Sequence, residues 1–91
     1  MTKSELIEQV ARKARMPKRA AAEAIEIFMD EIARSLSKGE KVVVSGFGTF
    51  YPKRIAKKTV KIPNREEYVT VKAHRTAGFT PGKRLKRQVA R

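Results

Sequence analysis

Lys53, Arg54, Lys57, Lys58 and Lys61 crowd into nine residues, so a strand drawn through them carries charge on both of its faces. Successive side chains of a strand point to opposite sides. Lys53, Lys57 and Lys61 therefore share one face, and Arg54 and Lys58 share the other. Neither face can be packed on a core without taking ammonium or guanidinium groups out of water. Such a strand has to stand away from the folded body as a solvated ribbon. Ile62-Pro63-Asn64-Arg65 lies midway between it and the next β-rich run, Tyr68-Val69-Thr70-Val71, and Pro-Asn suits the centre of a β-turn. The expected object is a two-stranded basic arm over about residues 53–75 with Pro63 at or near its tip. It holds eight Lys/Arg: Lys53, Arg54, Lys57, Lys58, Lys61, Arg65, Lys72 and Arg75.

The rest of the charge is segregated in the same sense. Residues 1–40 carry 8 Lys/Arg against 7 Asp/Glu, whereas residues 41–91 carry 14 Lys/Arg against only Glu66 and Glu67. A near-neutral first half and a very basic second half describe a charged surface, not charge spread for solubility. A polyanion is the natural partner, because neutralising phosphates releases condensed counterions. An anionic membrane fits less well, since the basic half has no apolar helical face to insert. No apolar run approaches a membrane span, and the first residues lack the apolar stretch of a signal peptide, so a cytoplasmic protein is expected. Without cysteine and with one histidine, neither a disulfide staple nor a zinc site is expected. His74 stands alone, and Glu66-Glu67 fall on opposite strand faces, so no catalytic constellation can be assembled. No enzyme activity and no cofactor are expected.

The 91 residues suffice for one domain of modest core. Thr2-Lys3-Ser4-Glu5 is a capping-box pattern, followed by Leu6, Ile7, Val10, Ala11 and Ala14 at helical spacing. Met16-Pro17 interrupts that helix. A longer helix follows, with Ala21, Ala24, Ile25, Phe28, Ile32 and Leu36 as its apolar stripe and Gly39 as its C-terminal cap. The period then changes: Lys41–Ser45 reads as a strand, Gly46-Phe47-Gly48 as a tight turn with a buried aromatic, and Thr49-Phe50-Tyr51 as the start of a second strand. Tyr68–Val71 is a third strand. Thr80-Pro81-Gly82 offers a cap and a first-turn proline before a short basic helix from Lys83 to about Ala90. The order α-α-β-β-β-α gives an α+β fold: a helical hairpin base (1–40), then a three-stranded antiparallel sheet extended into the basic arm and a short C-terminal helix (41–91). Phe47, Phe50 and Phe79, with Val42 and Val44, exceed what a helical hairpin can cover, which points to a dimer.

Gly46-Phe47-Gly48-Thr49-Phe50, the arm centred on Pro63, and Phe79-Thr80-Pro81-Gly82-Lys83-Arg84-Leu85-Lys86 together resemble the bacterial HU and integration-host-factor family. The opening Lys3, Ser4, Leu6 and Ile7 and the Ala-rich second helix fit the same family over the whole chain. The resemblance implies one HU-like domain forming an intertwined homodimer whose two arms embrace double-stranded DNA in its minor groove. In that family the tip proline, here Pro63, wedges between base pairs and kinks the duplex. It further implies that Lys53, Lys57 or Lys58, and Lys61 contact DNA from the arm, and that Lys3, Lys83 and Lys86 line the path beneath. Phe47, Phe50 and Phe79 would form the dimer core, and Lys3 with Glu26 an ion pair of the body. The usual tip, Arg-Asn-Pro-Gln-Thr-Gly, is here Lys61-Ile62-Pro63-Asn64-Arg65-Glu66, and Val60 also replaces a glycine. The resemblance thus implies a tip turn built without the usual positive-φ glycines.

Other readings compete less well. In a helix-turn-helix regulator the second helix would be basic and polar, but here it is mostly Ala, Ile and Glu. An RNA-binding or ribosomal protein is compatible with the charge, yet RNA readers display aromatics for stacking, and this chain has two tyrosines and no tryptophan. Within the family, nothing identifies a base-specific reader. A lysine-rich arm favours sequence-tolerant packaging of DNA in the nucleoid over a sequence-preferring integration-host-factor role.

Overall fold

A computed structural model describes residues 1–64 and 66–90. Its elements run α1 (Lys3–Ala14), α2 (Lys18–Ser37), β1 (Val42–Val44), β2 (Gly48–Ile55), β3 (Lys58–Lys61), β4 (Tyr68–Val71), β5 (His74–Pro81) and α3 (Lys83–Val89). The fold is α+β, and the chain forms two compact units, Met1–Arg34 and Ser35–Arg91.

In the first unit, Thr2 caps α1 by accepting the backbone N–H of Glu5 at 3.2 Å, as its capping pattern requires. The helix stops at Arg15, which takes the left-handed conformation (φ 55°) although it is not glycine. The following Met16 N–H still returns to the Ala11 carbonyl at 3.0 Å and the Arg15 N–H to that of Arg12 at 3.3 Å, so these two carbonyls of the last turn are satisfied. Pro17 accepts from Ala21 and opens α2. Ile7, Ala11 and Ala21 are the buried hydrophobics, with Met16, Ala22 and Ile25 packed against them. Leu6, Val10 and Phe28 of the same apolar stripes remain exposed.

In the second unit, α2 ends at Gly39 (φ 84°), where Glu40 N–H reaches the Ser35 carbonyl at 3.0 Å. β1, β2 and β5 form one antiparallel sheet in the order β1-β2-β5, and β3 and β4 form a separate antiparallel ladder. The three expected strands are therefore five. The third expected strand is β4; β5 begins within the expected arm at His74 and Arg75 and continues to Thr80-Pro81, which read as the start of the last helix. Thr80 pairs with Thr49 in the ladder, so it does not cap α3, and Pro81 ends β5 and is not the first helical residue. Gly82 holds the cap position by backbone alone, with its N–H donated to the Phe47 carbonyl at 2.8 Å.

Candidate nucleic-acid interface

The arm grows out of the sheet without a change of register. β2 pairs with β5 from Gly48↔Pro81 to Ile55↔His74, and β3 pairs with β4 from Lys58↔Val71 to Lys61↔Tyr68. Between the ladders lie Ala56-Lys57 on one strand and Lys72-Ala73 on the other, equal in number, so no residue is inserted and side-chain parity is kept. Lys53, Lys57 and Lys61 accordingly share strand parity, as the sequence requires, and Arg54 and Lys58 share the other. Every residue of β3 is exposed, and of β4 only Val71 is half-buried. This solvated ladder is what charge on both faces demands.

The tip closes where Ile62 N–H donates to the Glu67 carbonyl at 3.1 Å, with Pro63 and Asn64 in the turn. Asn64 takes φ 65°, so it supplies the left-handed residue that the missing glycines would have provided. Arg65, expected among the contact residues, lies outside the described residues.

The remaining expected contact residues fall into three settings. Lys57, Lys58, Lys61 and Lys72 are exposed on the arm, and Lys53 and Arg54 are exposed where β2 leaves the sheet. Among the described residues none of these six has an ion-pair partner. Arg54 and Arg75 stand directly opposite each other, an arrangement of like charge that costs stability unless an anion lies near. Arg75 also reaches back: a Cβ placed on Gly39 would sit 3.1 Å from its Nη1, so the guanidinium lies at the C-terminal end of α2. Lys83 and Lys86 are exposed on α3. Lys3 is paired with Glu26 on α2, and Lys18 with Glu8 at 2.9 Å, so the helical unit neutralises several of its own cations.

The aromatic cluster occupies the other end of the same strands. Phe50 and Phe79 face each other across β2 and β5 with ring centroids 4.7 Å apart, and Phe47 lies 5.5 Å from Phe79. The sequence pattern predicts a buried Phe47 at its turn, but the residue is 44% exposed, and Phe79 is 38% exposed. The turn offers Phe47 little apolar cover besides the ring of Phe79. Val42 pairs with Phe50 and shares its face, so the cluster is an open apolar surface.

Sequence reasoning missed the break between the two ladders. It is flanked by a groove of about 610 Å³ lined by Arg54, Ile55, Ala56, Lys57, Ala73, His74 and Arg75. The one available signal was the placement of the small residues Ala56 and Ala73 within an otherwise bulky ribbon.

A model of the family described as bacterial DNA-binding protein matches residues 1–90 of this chain. The chain belongs to that family. It is 40% identical over 86 residues to DNA-binding protein HU-beta 2 of Neisseria meningitidis serogroup A, covering 94% of each chain. It is 36% identical over 89 residues to integration host factor subunit alpha of Aliivibrio fischeri, covering 98% of this chain and 91% of that one. Among solved structures, HU in an Anabaena HU–DNA cocrystal superposes with a TM-score of 0.91 at 31% identity, over 99% of this chain and 98% of that one. HU from Thermotoga maritima, as its V42I mutant, gives 0.73 at 31% identity over 98% and 99%. The bacterial DNA-binding protein family is one of architectural proteins of the nucleoid, and this member is a DNA-binding architectural protein of that kind. No helix among the described residues is long and apolar enough to cross a membrane.

Proposed function

We propose that the chain acts as an HU-like homodimer whose two arms grip double-stranded DNA in the minor groove, largely without regard to sequence, and bend it. The observation that carries this reading is the β3–β4 ladder, exposed almost throughout, flanked by unpaired lysines and closed by a turn with Pro63 inside it. An isolated two-stranded ribbon is marginal in water, so its natural state is one wrapped on a partner. Lys53, Arg54, Lys57, Lys58, Lys61 and Lys72, with Arg65, contact phosphates and groove edges from the arm, and Arg75 does so from its root. Lys83 and Lys86 hold the DNA path on α3, and Lys3 joins them by exchanging Glu26 for a phosphate. Pro63 is the wedge.

The dimer reading rests on burial. A chain that, among the described residues, buries only Ile7, Ala11 and Ala21 of its hydrophobics while exposing Leu6, Phe28, Phe47 and Phe79 has not finished its core. Phe47, Phe50 and Phe79 are the interface aromatics, and the chain works as a single domain within that dimer. The protein does no chemistry on DNA and resides on the nucleoid in the cytoplasm.

Binding to three duplexes of equal length at two salt concentrations tests the reading: one intact, one nicked or gapped, one carrying a bent specific site. Similar affinity for intact sequences, tighter binding to the nicked duplex and a steep loss with salt are expected. Strong preference for the specific site would favour an integration-host-factor role, and tighter binding to RNA than to DNA would overturn the assignment of partner.

A further inference from the structure

Tyr68 has no part in the reading above. It is the only Phe, Tyr or Trp of the arm, and at 66% it is the most exposed aromatic among the described residues. It is the first residue of β4 and stands directly opposite Lys61, the last residue of β3. The next step along the arm is the Ile62–Glu67 hydrogen bond, beyond which Pro63 and Asn64 turn. Among the described residues no other ring packs on Tyr68.

The ladder decides which face the ring occupies. Residues directly opposite each other share a face, and along each strand every second residue returns to it. The apolar side chains of the outer arm, Val60, Ile62, Val69 and Val71, therefore lie on one face, together with Lys58. Tyr68 lies on the other, with Lys57, Thr59, Lys61, Thr70 and Lys72. A ring that served only to pack would belong with the valines. Strand propensity accounts for a tyrosine in β4, but valine or threonine meets that need as well, and Lys61 opposite leaves most of the ring uncovered. An uncovered ring among lysines and threonines is the arrangement that holds unpaired nucleic acid: cations follow the backbone while a base stacks on the ring. Bases within an intact duplex already cover one another, so the ligand of this ring is a base that has left the stack.

We propose that Tyr68 is a stacking platform for an unpaired nucleobase, so that the tip of the arm selects DNA carrying such a base. The proposal rests on the DNA-gripping reading and deepens it by naming the kind of DNA the tip takes. Pro63 and Tyr68 divide the work: the proline opens the step, and the ring covers the face of the base displaced there. Any interruption of a duplex favours a bending protein, because it lowers the cost of the bend. Stacking on Tyr68 adds a preference that depends on the base itself. At the lower end of aromatic–base stacking this corresponds to about tenfold in affinity.

The test is competition anisotropy with the full chain and three duplexes of equal paired length: one intact, one with a single unpaired adenine, and one with an abasic residue in place of that adenine. The two bulged duplexes share the interruption and differ only in the base. The unaltered chain should bind the adenine bulge about tenfold tighter than the abasic one. Tyr68→Phe keeps the ring and should keep that ratio. Tyr68→Thr keeps a good strand former without the ring and should bring the ratio to about one. A second readout needs only the unaltered chain: 2-aminopurine in place of the unpaired adenine should lose emission on binding, as it does when stacked. That emission decides the matter if Tyr68→Thr binds no duplex. Equal affinity of the unaltered chain for the two bulges, a ratio that survives Tyr68→Thr, or emission that does not fall would each overturn the proposal while leaving the DNA-gripping reading intact. Failure of the unaltered chain to bind any of the duplexes would overturn both.

Discussion

Replacing Lys57, Lys58 and Lys61 together by alanine should change how DNA binding responds to salt more than it changes the fold. All three side chains are exposed and none has an ion-pair partner among the described residues, so nothing in the free protein depends on them. Surface changes of this kind shift stability by no more than about 0.5 kcal/mol each. The effect on binding follows from counterion release, in which each phosphate neutralised contributes about 0.9 to the slope of log K against log salt. Leaving three phosphates without their lysines on one arm reduces the slope by about 2.7, and two engaged arms double that to about 5. The assay is a salt titration of duplex binding by anisotropy, with thermal unfolding of the free variant as the control for folding. Lys18→Ala serves as the matched control, because Lys18 is already engaged by Glu8 at 2.9 Å and should leave the slope nearly unchanged. An unaltered slope in the triple variant would refute the reasoning, since it would place the phosphate-binding surface off the arm. A slope reduced by about half the expected amount would mean that only one arm engages the duplex.

Pro63→Ala should reduce DNA bending more than affinity, because the lysines still reach their phosphates when the wedge is gone; ring-closure efficiency reads the bend, and unchanged closure would refute the wedge. Phe47→Ala should cost roughly 3–5 kcal/mol and weaken self-association, and a variant that sediments as the parent does would place the aromatic cluster inside one chain. Gly48→Ala should destabilise more than Gly78→Ala in urea unfolding. The new Cβ at Gly48 meets the Thr80 carbonyl at 2.6 Å as well as the Phe79 ring, whereas at Gly78 its nearest neighbours are all atoms of the Tyr51 side chain, from 2.4 Å. Overpacking of this kind costs about 1–3 kcal/mol, and equal losses would show that the backbone at Thr80 yields as readily as a ring.

The arm was legible because its physics is local. Parity of charge along Lys53–Lys61 excludes burial whatever surrounds it, and Pro63-Asn64 is turn chemistry at short range. Both helices were legible for the same reason, through Thr2 at one start and Gly39 at one end. β5 was not, because Gly78 and Pro81 weaken any strand reading when seen alone. Their fitness appears only across the ladder, where the Tyr51 ring lies against Gly78 and Pro81 closes the strand opposite Gly48. Pro52 is likewise acceptable only in context. β1 pairs with β2 no further than Phe50, so from Tyr51 onward β2 is bordered by β5 alone, and the outer edge tolerates a residue without an N–H. The break at Ala56-Lys57 left no strong mark because it arises from pairing that lapses and resumes in register.

That unbroken register joins the two ends of the strands into one device. The residues that set it are not the charged ones. Phe79 lies against Gly48 and Tyr51 against Gly78 so closely that a Cβ on either glycine would overlap the ring. A slip of one residue between β2 and β5 would bring a side chain to each of those places, and it would also separate Phe50 from Phe79. The same slip would turn Lys72 and Arg75, on the returning strand, to the opposite face relative to Lys53, Lys57 and Lys61. Two glycines beneath two aromatic rings therefore hold the register that decides which lysines look toward a groove, although neither glycine stands near the tip of the arm. A basic ribbon by itself would bind DNA through charge alone. What aims its charges, and places Pro63 where a wedge must be, is the fit of rings onto glycines at its root.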